Sequence, residues 1–136
     1  MDIEAFIHQH RVARLATISA EGKPHLVPVV YAYDGAHIFV ALDEKPKRVA
    51  PGQLQRVRNI SANPNVSLLI DDYAEDWTEL AWVRLDGLAE VLPEGRAHVE
   101  ALRLLREKYA QYQSMALEER PLIQITIKLR THWSAG

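Results

Sequence analysis

Between Lys45 and Ile70 the chain carries Lys45, Lys47, Arg48, Arg56 and Arg58 and no aspartate or glutamate, although the whole sequence is slightly acidic. Cations gathered without counter-charges suit a polyanion such as a phosphate tail, because guanidinium and ammonium groups make charge-assisted hydrogen bonds to phosphate oxygens. The same run also reads as a basic helix face in water. Arg56, Asn59 and Asn63 fall at intervals of three and four, so one helix face would present a cation and two amides together. Other catalytic signatures are missing. The six glycines, at positions 22, 35, 52, 87, 95 and 136, form neither GxGxxG nor a Walker loop. No GxSxG elbow supports a hydrolytic serine. His8 and His10, two residues apart, point to different faces of a helix and have no metal-spaced partner, so no metal site is expected. No residue is assigned a catalytic role on sequence alone.

With 136 residues, 48% of them hydrophobic and 25% charged, the chain has the make-up of one globular domain spanning 1–136. A chain of this size removes roughly 68% of its unfolded surface from water, enough for a single core. The net charge of −2 argues against nucleic-acid binding. The absence of cysteine excludes disulfides, thiolate nucleophiles and iron–sulfur ligation, and fits a reducing cytoplasm. No stretch approaches the roughly 18 apolar residues of a membrane span. The N-terminal MDIEAFIHQH lacks a basic segment and so does not resemble a secretory signal, and a cytoplasmic location is expected.

The elements that would position the basic stretch follow from pattern. Ile3, Phe6 and Ile7 predict a short amphipathic helix over 2–10. VARLATIS (12–19) predicts a strand, His25–Tyr33 a second and residues 36–42 a third, with turns at Glu21–Pro24 and at Asp34-Gly35. Pro28 cannot donate to a ladder, so it belongs at an edge, a bulge or a gap in pairing. Leu54, Val57 and Ile60 predict a helix over 53–62, stopped by Asn63-Pro64. VSLLIDDY (66–73) and Leu80–Leu92 read as strands, the latter with Gly87 at a bulge. Between them the sign of the charge inverts at Asp71, Asp72, Glu75, Asp76 and Glu79, either a solvated connection or a partner-facing loop. A long helix over 94–113 precedes the strictly alternating Ile123, Ile125, Ile127 and Leu129. Six strands joined largely by hairpins, with one long helix late in the chain, argue for a mainly β barrel with added helices.

Read in order, RLATIS, EGKPHLVPVVYAYDG, IFVAL, RVRNISANPNVSLLI and the terminal LRTHW resemble the pyridoxamine 5′-phosphate oxidase-like split barrels, over nearly the whole chain. DEKPK, RNISANPNVSLLIDDYAEDW and LAWVRLDGLAEV are most similar to the actinobacterial branch of coenzyme F420-dependent enzymes. The resemblance implies a homodimer of split β-barrels with a flavin or deazaflavin in a groove at the subunit interface. It implies that His25, Val27, Pro28 and Val29 line the edge where the tricyclic ring rests. Lys45 and Lys47, with Arg56, Arg58 and Asn59, would form the anion pocket. Arg56 stands where relatives often carry lysine, which keeps the charge and alters the geometry. Asp43-Glu44 replaces the phosphate-binding hydroxyl residues of many flavin-binding relatives, which favours coenzyme F420, with its glutamate tail, over FMN. Trp77, Trp82 and Trp133 are candidates to stack on the ring, Trp77 first because it sits in a loop. The implied activity is hydride transfer between coenzyme F420 and a small unsaturated substrate. The alternatives are an FMN-dependent oxidoreductase of the same fold and a non-catalytic carrier of flavin, deazaflavin or haem.

Overall fold

Alternation of apolar and polar side chains builds a curled antiparallel sheet of seven strands in a computed structural model that describes residues 1–43 and 54–136. Lys45, Lys47 and Arg48 lie outside the described residues. The chain runs α1 (Ile3–Gln9), β1 (Ala13–Ile18), β2 (Pro24–Val29), β3 (Ala32–Tyr33), β4 (His37–Ala41), α2 (Gln55–Ala62), β5 (Asn65–Asp72), β6 (Ala81–Leu92), α3 (Arg96–Lys108) and β7 (Leu122–Ser134). The strands pair in the order β2-β1-β5-β6-β7-β4-β3. This is the mainly β, split-barrel architecture expected from the sequence.

One strand more is present than the six expected, because the apolar run His25–Tyr33 divides into β2 and β3. At the break the Tyr31 N–H donates to the Tyr109 hydroxyl (3.2 Å), and the Tyr31 hydroxyl donates to the Ile7 carbonyl (2.7 Å). Tyr31 thereby ties the chain to α1 and to the end of α3 instead of extending a ladder. The strands on either side of it lie at opposite ends of the sheet order. Pro28 accordingly sits in an end strand, one edge of which carries no ladder among the described residues. The Asp34-Gly35 turn forms as expected. Asp34 Oδ1 accepts from the N–H groups of Ala36 (2.9 Å) and His37 (2.6 Å), and Gly35 takes the positive φ of +100°.

Between β6 and β7 the register passes from Asp86 opposite Leu129 to Gly87 opposite Ile127, so Lys128 bulges out. A Cβ on Gly87 would lie 2.2 Å from the Thr126 carbonyl oxygen. Only glycine lets the two backbones approach this closely.

Two apolar clusters pack against the sheet, one on each face, because neighbours in β4 and β7 such as Ile38 and Phe39 divide between them. Leu15, Tyr31, Leu68, Ile70, Leu85 and Ile125 pack with Ile7 of α1 and with Val57 and Ile60 of α2. Phe39 and Leu122 pack with Leu102 and Leu105 of α3. The helix expected to continue to Gln113 ends at Lys108, and a 3-10 turn over Ala110–Ser114 follows. Arg106 holds that turn by donating from Nε to the Tyr112 carbonyl (3.1 Å) and from Nη2 to the Met115 carbonyl (2.8 Å).

Where α1 meets α3, the Lys108 ammonium lies 3.9 Å from the centroid of the Tyr31 ring and 5.6 Å from that of Tyr109. It has no hydrogen-bond acceptor among the described residues. Burial first, and the charge of Arg11 second, pull its pKa down from 10.5 to about 8. A lysine whose folded pKa is depressed opposes folding below that value, and the opposition fades as pH rises toward the unfolded value. Lys108→Met should therefore stabilise the protein at pH 7 by about 1 kcal/mol, once the shift is discounted for a half-buried group and for the lost cation–π contact. The gain should shrink toward pH 10. Thermal melts at the two pH values check this, and equal gains at both would show that the charge of the amine is immaterial.

Candidate functional site

The sheet order brings the end of β2, the end of β4 and the start of α2 around a groove of about 290 Å³. Pro28, Val29, Val30, Val40 and Ala41 supply an apolar wall, and Asp43, Arg56 and Tyr112 supply the polar groups. Arg56 is the second residue of α2, whose first turn holds no acid and whose N-cap, Leu54, offers no side-chain acceptor. The partial positive charge of a helix start and a guanidinium thus stand together, which suits an anion. Beside them, β2 pairs with β1 alone, so its outer edge forms no ladder among the described residues. Backbone groups along that edge remain available to a planar ligand.

The structure gathers Pro28, Val29 and Arg56 into this groove and places the other expected site residues elsewhere. His25 and Val27 lie on the same face of β2 as Val29, and Val27 packs against the core. His25 stands opposite Thr17, and its Nδ1 is buried with no hydrogen-bond partner among the described residues. Asn59 shares α2 with Arg56 as the spacing predicts, but it is turned inward and only 1% exposed. Its Nδ2 donates to Thr17 Oγ1 (2.9 Å), and its Oδ1 accepts from Gln55 Nε2 (2.6 Å), so it fastens the helix to β1. Arg58 is exposed and donates to Gln55 of its own helix. Trp77 is 67% exposed in a 3-10 turn between β5 and β6, away from the groove. Trp82 and Trp133 face one another across β6 and β7. Lys45 and Lys47 lie outside the described residues, in the segment that separates Asp43 from Arg56 in sequence.

Tyr112 escaped sequence reasoning as a site residue. Its place in the apolar stripe of a helix disguised it, although a phenol on a buried face needs a partner and so carries a signal. The acidic run is largely spent on structure. Asp71 pairs with Arg14 (3.3 Å), Asp72 with His10 (2.5 Å), and Asp76 caps the 3-10 turn by accepting from the Thr78 N–H (3.0 Å). Among the described residues no cluster of three or more His, Cys, Asp or Glu could hold a metal, and no helix is long and apolar enough to cross a membrane.

The residues present fit a flavin-like group: an apolar wall, an open strand edge, a cation at a helix start and an orphaned imidazole nitrogen on the same strand. A second, larger hollow of about 530 Å³ lies on the outer face of the sheet, between Leu26, Leu69 and Trp82, flanked by Arg14 and Arg84.

Residues 2–134 match the family described as pyridoxamine 5′-phosphate oxidase. Over 91 residues the chain is 29% identical to a 5a,11a-dehydrotetracycline/5a,11a-dehydrooxytetracycline reductase of Streptomyces rimosus subsp. rimosus. That alignment spans 66% of this chain and 61% of the reductase, less than two thirds of the relative's length. A conserved hypothetical protein of Mycobacterium tuberculosis shares the fold with a TM-score of 0.80 and 24% identity, over 98% of this chain and 83% of that one. A FAD-binding protein of Mesorhizobium loti does so with a TM-score of 0.69 and 24% identity, over 96% and 89% of the two chains. A haem storage protein of Vibrio cholerae does so with a TM-score of 0.73 and 14% identity, over 98% and 92%.

Proposed function

The chain belongs to the pyridoxamine 5′-phosphate oxidase family, and on that premise we propose that it is an oxidoreductase moving a hydride between the deazaflavin coenzyme F420 and a small unsaturated organic substrate. The observation that carries this reading is the meeting of Arg56, at the start of α2, with Pro28 and Val29 of the end strand in one groove. A bound flavin or deazaflavin supplies the hydride chemistry, so the chain need only bind, orient and keep out water. Arg56 and the first turn of α2 hold the anionic part. The outer edge of β2 aligns the ring, and Val29, Val30 and Val40 keep water from it. The Streptomyces rimosus relative, named as a reductase of a dehydro compound, supports reduction of an unsaturated skeleton. Lys45, Lys47, Arg56 and Arg58 together exceed what one phosphate requires, which supports a cofactor whose tail carries further carboxylates.

A second copy of the chain completes this reading. Leu26 and Leu69, 66% and 37% exposed, stand with Ile18 and Trp82 on the outer face of the sheet, an apolar surface suited to an isologous partner.

Anaerobic mixing of the protein with reduced coenzyme F420 and a panel of enones and quinones tests the proposal. The expected result is substrate-dependent reoxidation by a dimeric protein, with cofactor affinity that rises with glutamate number and falls with salt. A shift in fluorescence without reoxidation would make the protein a carrier. Tight FMN binding with no F420 binding would assign it to flavin chemistry, and a cofactor-loaded monomer in sedimentation would remove the dimer.

A further inference from the structure

We infer that Asp43 sets the ligand specificity of the groove: its carboxylate, positioned by the buried Tyr112 hydroxyl, accepts hydrogen bonds from uncharged O–H and N–H donors of the cofactor and turns phosphate away from that end. This rests on the cofactor reading above and adds to it the group that sorts one ligand from another.

Asp43 lies two residues beyond the end of β4 and lines the groove together with Arg56. The Tyr112 hydroxyl donates to Asp43 Oδ2 at 2.6 Å, and the Tyr112 side chain is buried. Tyr112 is itself fixed, because Arg106 grips the carbonyls of Tyr112 and Met115 while its Nη1 pairs with Glu118. A carboxylate held through one oxygen by a buried phenol cannot turn freely to suit an incoming ligand. Among the described residues its other oxygen, Oδ1, accepts no hydrogen bond, and Asp43 joins no salt bridge. The groove therefore presents a cation from α2 and a carboxylate that no described cation pairs with. Specificity arises as much from penalising the wrong ligand as from gripping the right one, and an unpaired like charge is an effective penalty. An ionised carboxylate accepts hydrogen bonds and donates none, so hydroxyl and ring N–H groups satisfy it and phosphate oxygens do not. The anionic part of the ligand is thereby directed to the Arg56 side.

Titration of the wild type, Asp43→Asn and Tyr112→Phe with coenzyme F420, FMN, riboflavin and lumichrome, alongside melting temperatures, tests this. Riboflavin against FMN isolates the phosphate, and riboflavin against lumichrome separates the polyol hydroxyls from the ring N–H. Asp43→Asn should weaken riboflavin about tenfold and FMN and F420, which both carry a phosphate, by a few-fold at most, swinging the riboflavin-to-FMN preference by several-fold. Tyr112→Phe should swing it the same way by less, a change of ratio that mere loosening of the fold would not produce. An unchanged ratio in Asp43→Asn overturns the assignment, and an unchanged ratio in Tyr112→Phe alone overturns the positioning role. Asp43→Ser carries the same test if the asparagine variant fails to fold. Wild-type binding of riboflavin and FMN without F420 would remove the F420 reading and leave Asp43 testable on the ratio. No saturable binding of any of the four would overturn both.

Discussion

Gly87→Ala should destabilise the protein by roughly 3 kcal/mol or more and lower its melting temperature by about 10 °C. The added methyl group would stand 2.2 Å from the Thr126 carbonyl oxygen and 3.1 Å from Ile125 Cγ2. A side-chain atom could swing aside, but the Thr126 oxygen belongs to β7, which is paired with β6 on one side and β4 on the other at this height. Relief would require opening the sheet where its two longest strands meet. Conformational preference is not the cause, because Gly87 does not have positive φ. Gly22 offers the control: it has a φ of +80° and open space around it, so Gly22→Ala should cost only about 1 kcal/mol of backbone strain. Thermal and denaturant melts of both variants check the contrast. A Gly87→Ala protein melting within a degree or two of the wild type would show that the bulge can absorb a methyl group.

Arg56→Ala should raise the dissociation constant for the cofactor roughly tenfold to a hundredfold, the loss of about 1.5 to 3 kcal/mol from a charge-assisted bond to a partly desolvated anion. Arg56 lines the groove at the start of a helix whose own first turn holds no acidic residue. Arg58, two residues on, is exposed and engaged with Gln55, so Arg58→Ala should act only through a screened field and cost several-fold less. Fluorescence titration at two salt concentrations, with melts to confirm folding, separates the two cations. Equal effects for both substitutions would mean that the anion lies along the outside of α2 and not in the groove.

The strands were legible wherever one face is buried and the other wet, as in β6 and β7, because period-two alternation reports that asymmetry directly. Pro28 announced its end strand for a chemical reason, the missing donor. The division of His25–Tyr33 was not legible. Continuous apolarity is the same whether a chain runs straight or crosses from one end of a sheet to the other, and the hydrogen bonds of Tyr31 that mark the crossing involve partners 24 and 78 residues away. The site was read in the same uneven way. Spacing put Arg56 and Asn59 near one another, but period alone cannot say which of two neighbours on a helix faces the core, and the bond from Asn59 to Thr17 spans 42 residues. The bond between Asp43 and Tyr112 spans 69 and rests on a helix ending earlier than its apolar stripe suggests.

The strand order also fixes when the barrel can close during folding. The hairpins β1–β2, β3–β4 and β5–β6 join neighbours in the chain, so each can form at small entropic cost. Pairing β4 with β7 brings His37 to Thr126 across close to ninety residues, the longest loop closed by any pair in the sheet. Loop entropy grows only logarithmically, by about 0.6 kcal/mol per doubling, yet it must be met before the contact returns anything. Once β6 and β7 are joined and Tyr31 has carried the β3–β4 hairpin across the core, that separation shrinks to a short gap. The closing of β4 onto β7 is thus the step that most depends on all the others, and the wall of the groove formed by Val40 and Ala41 is completed only with it.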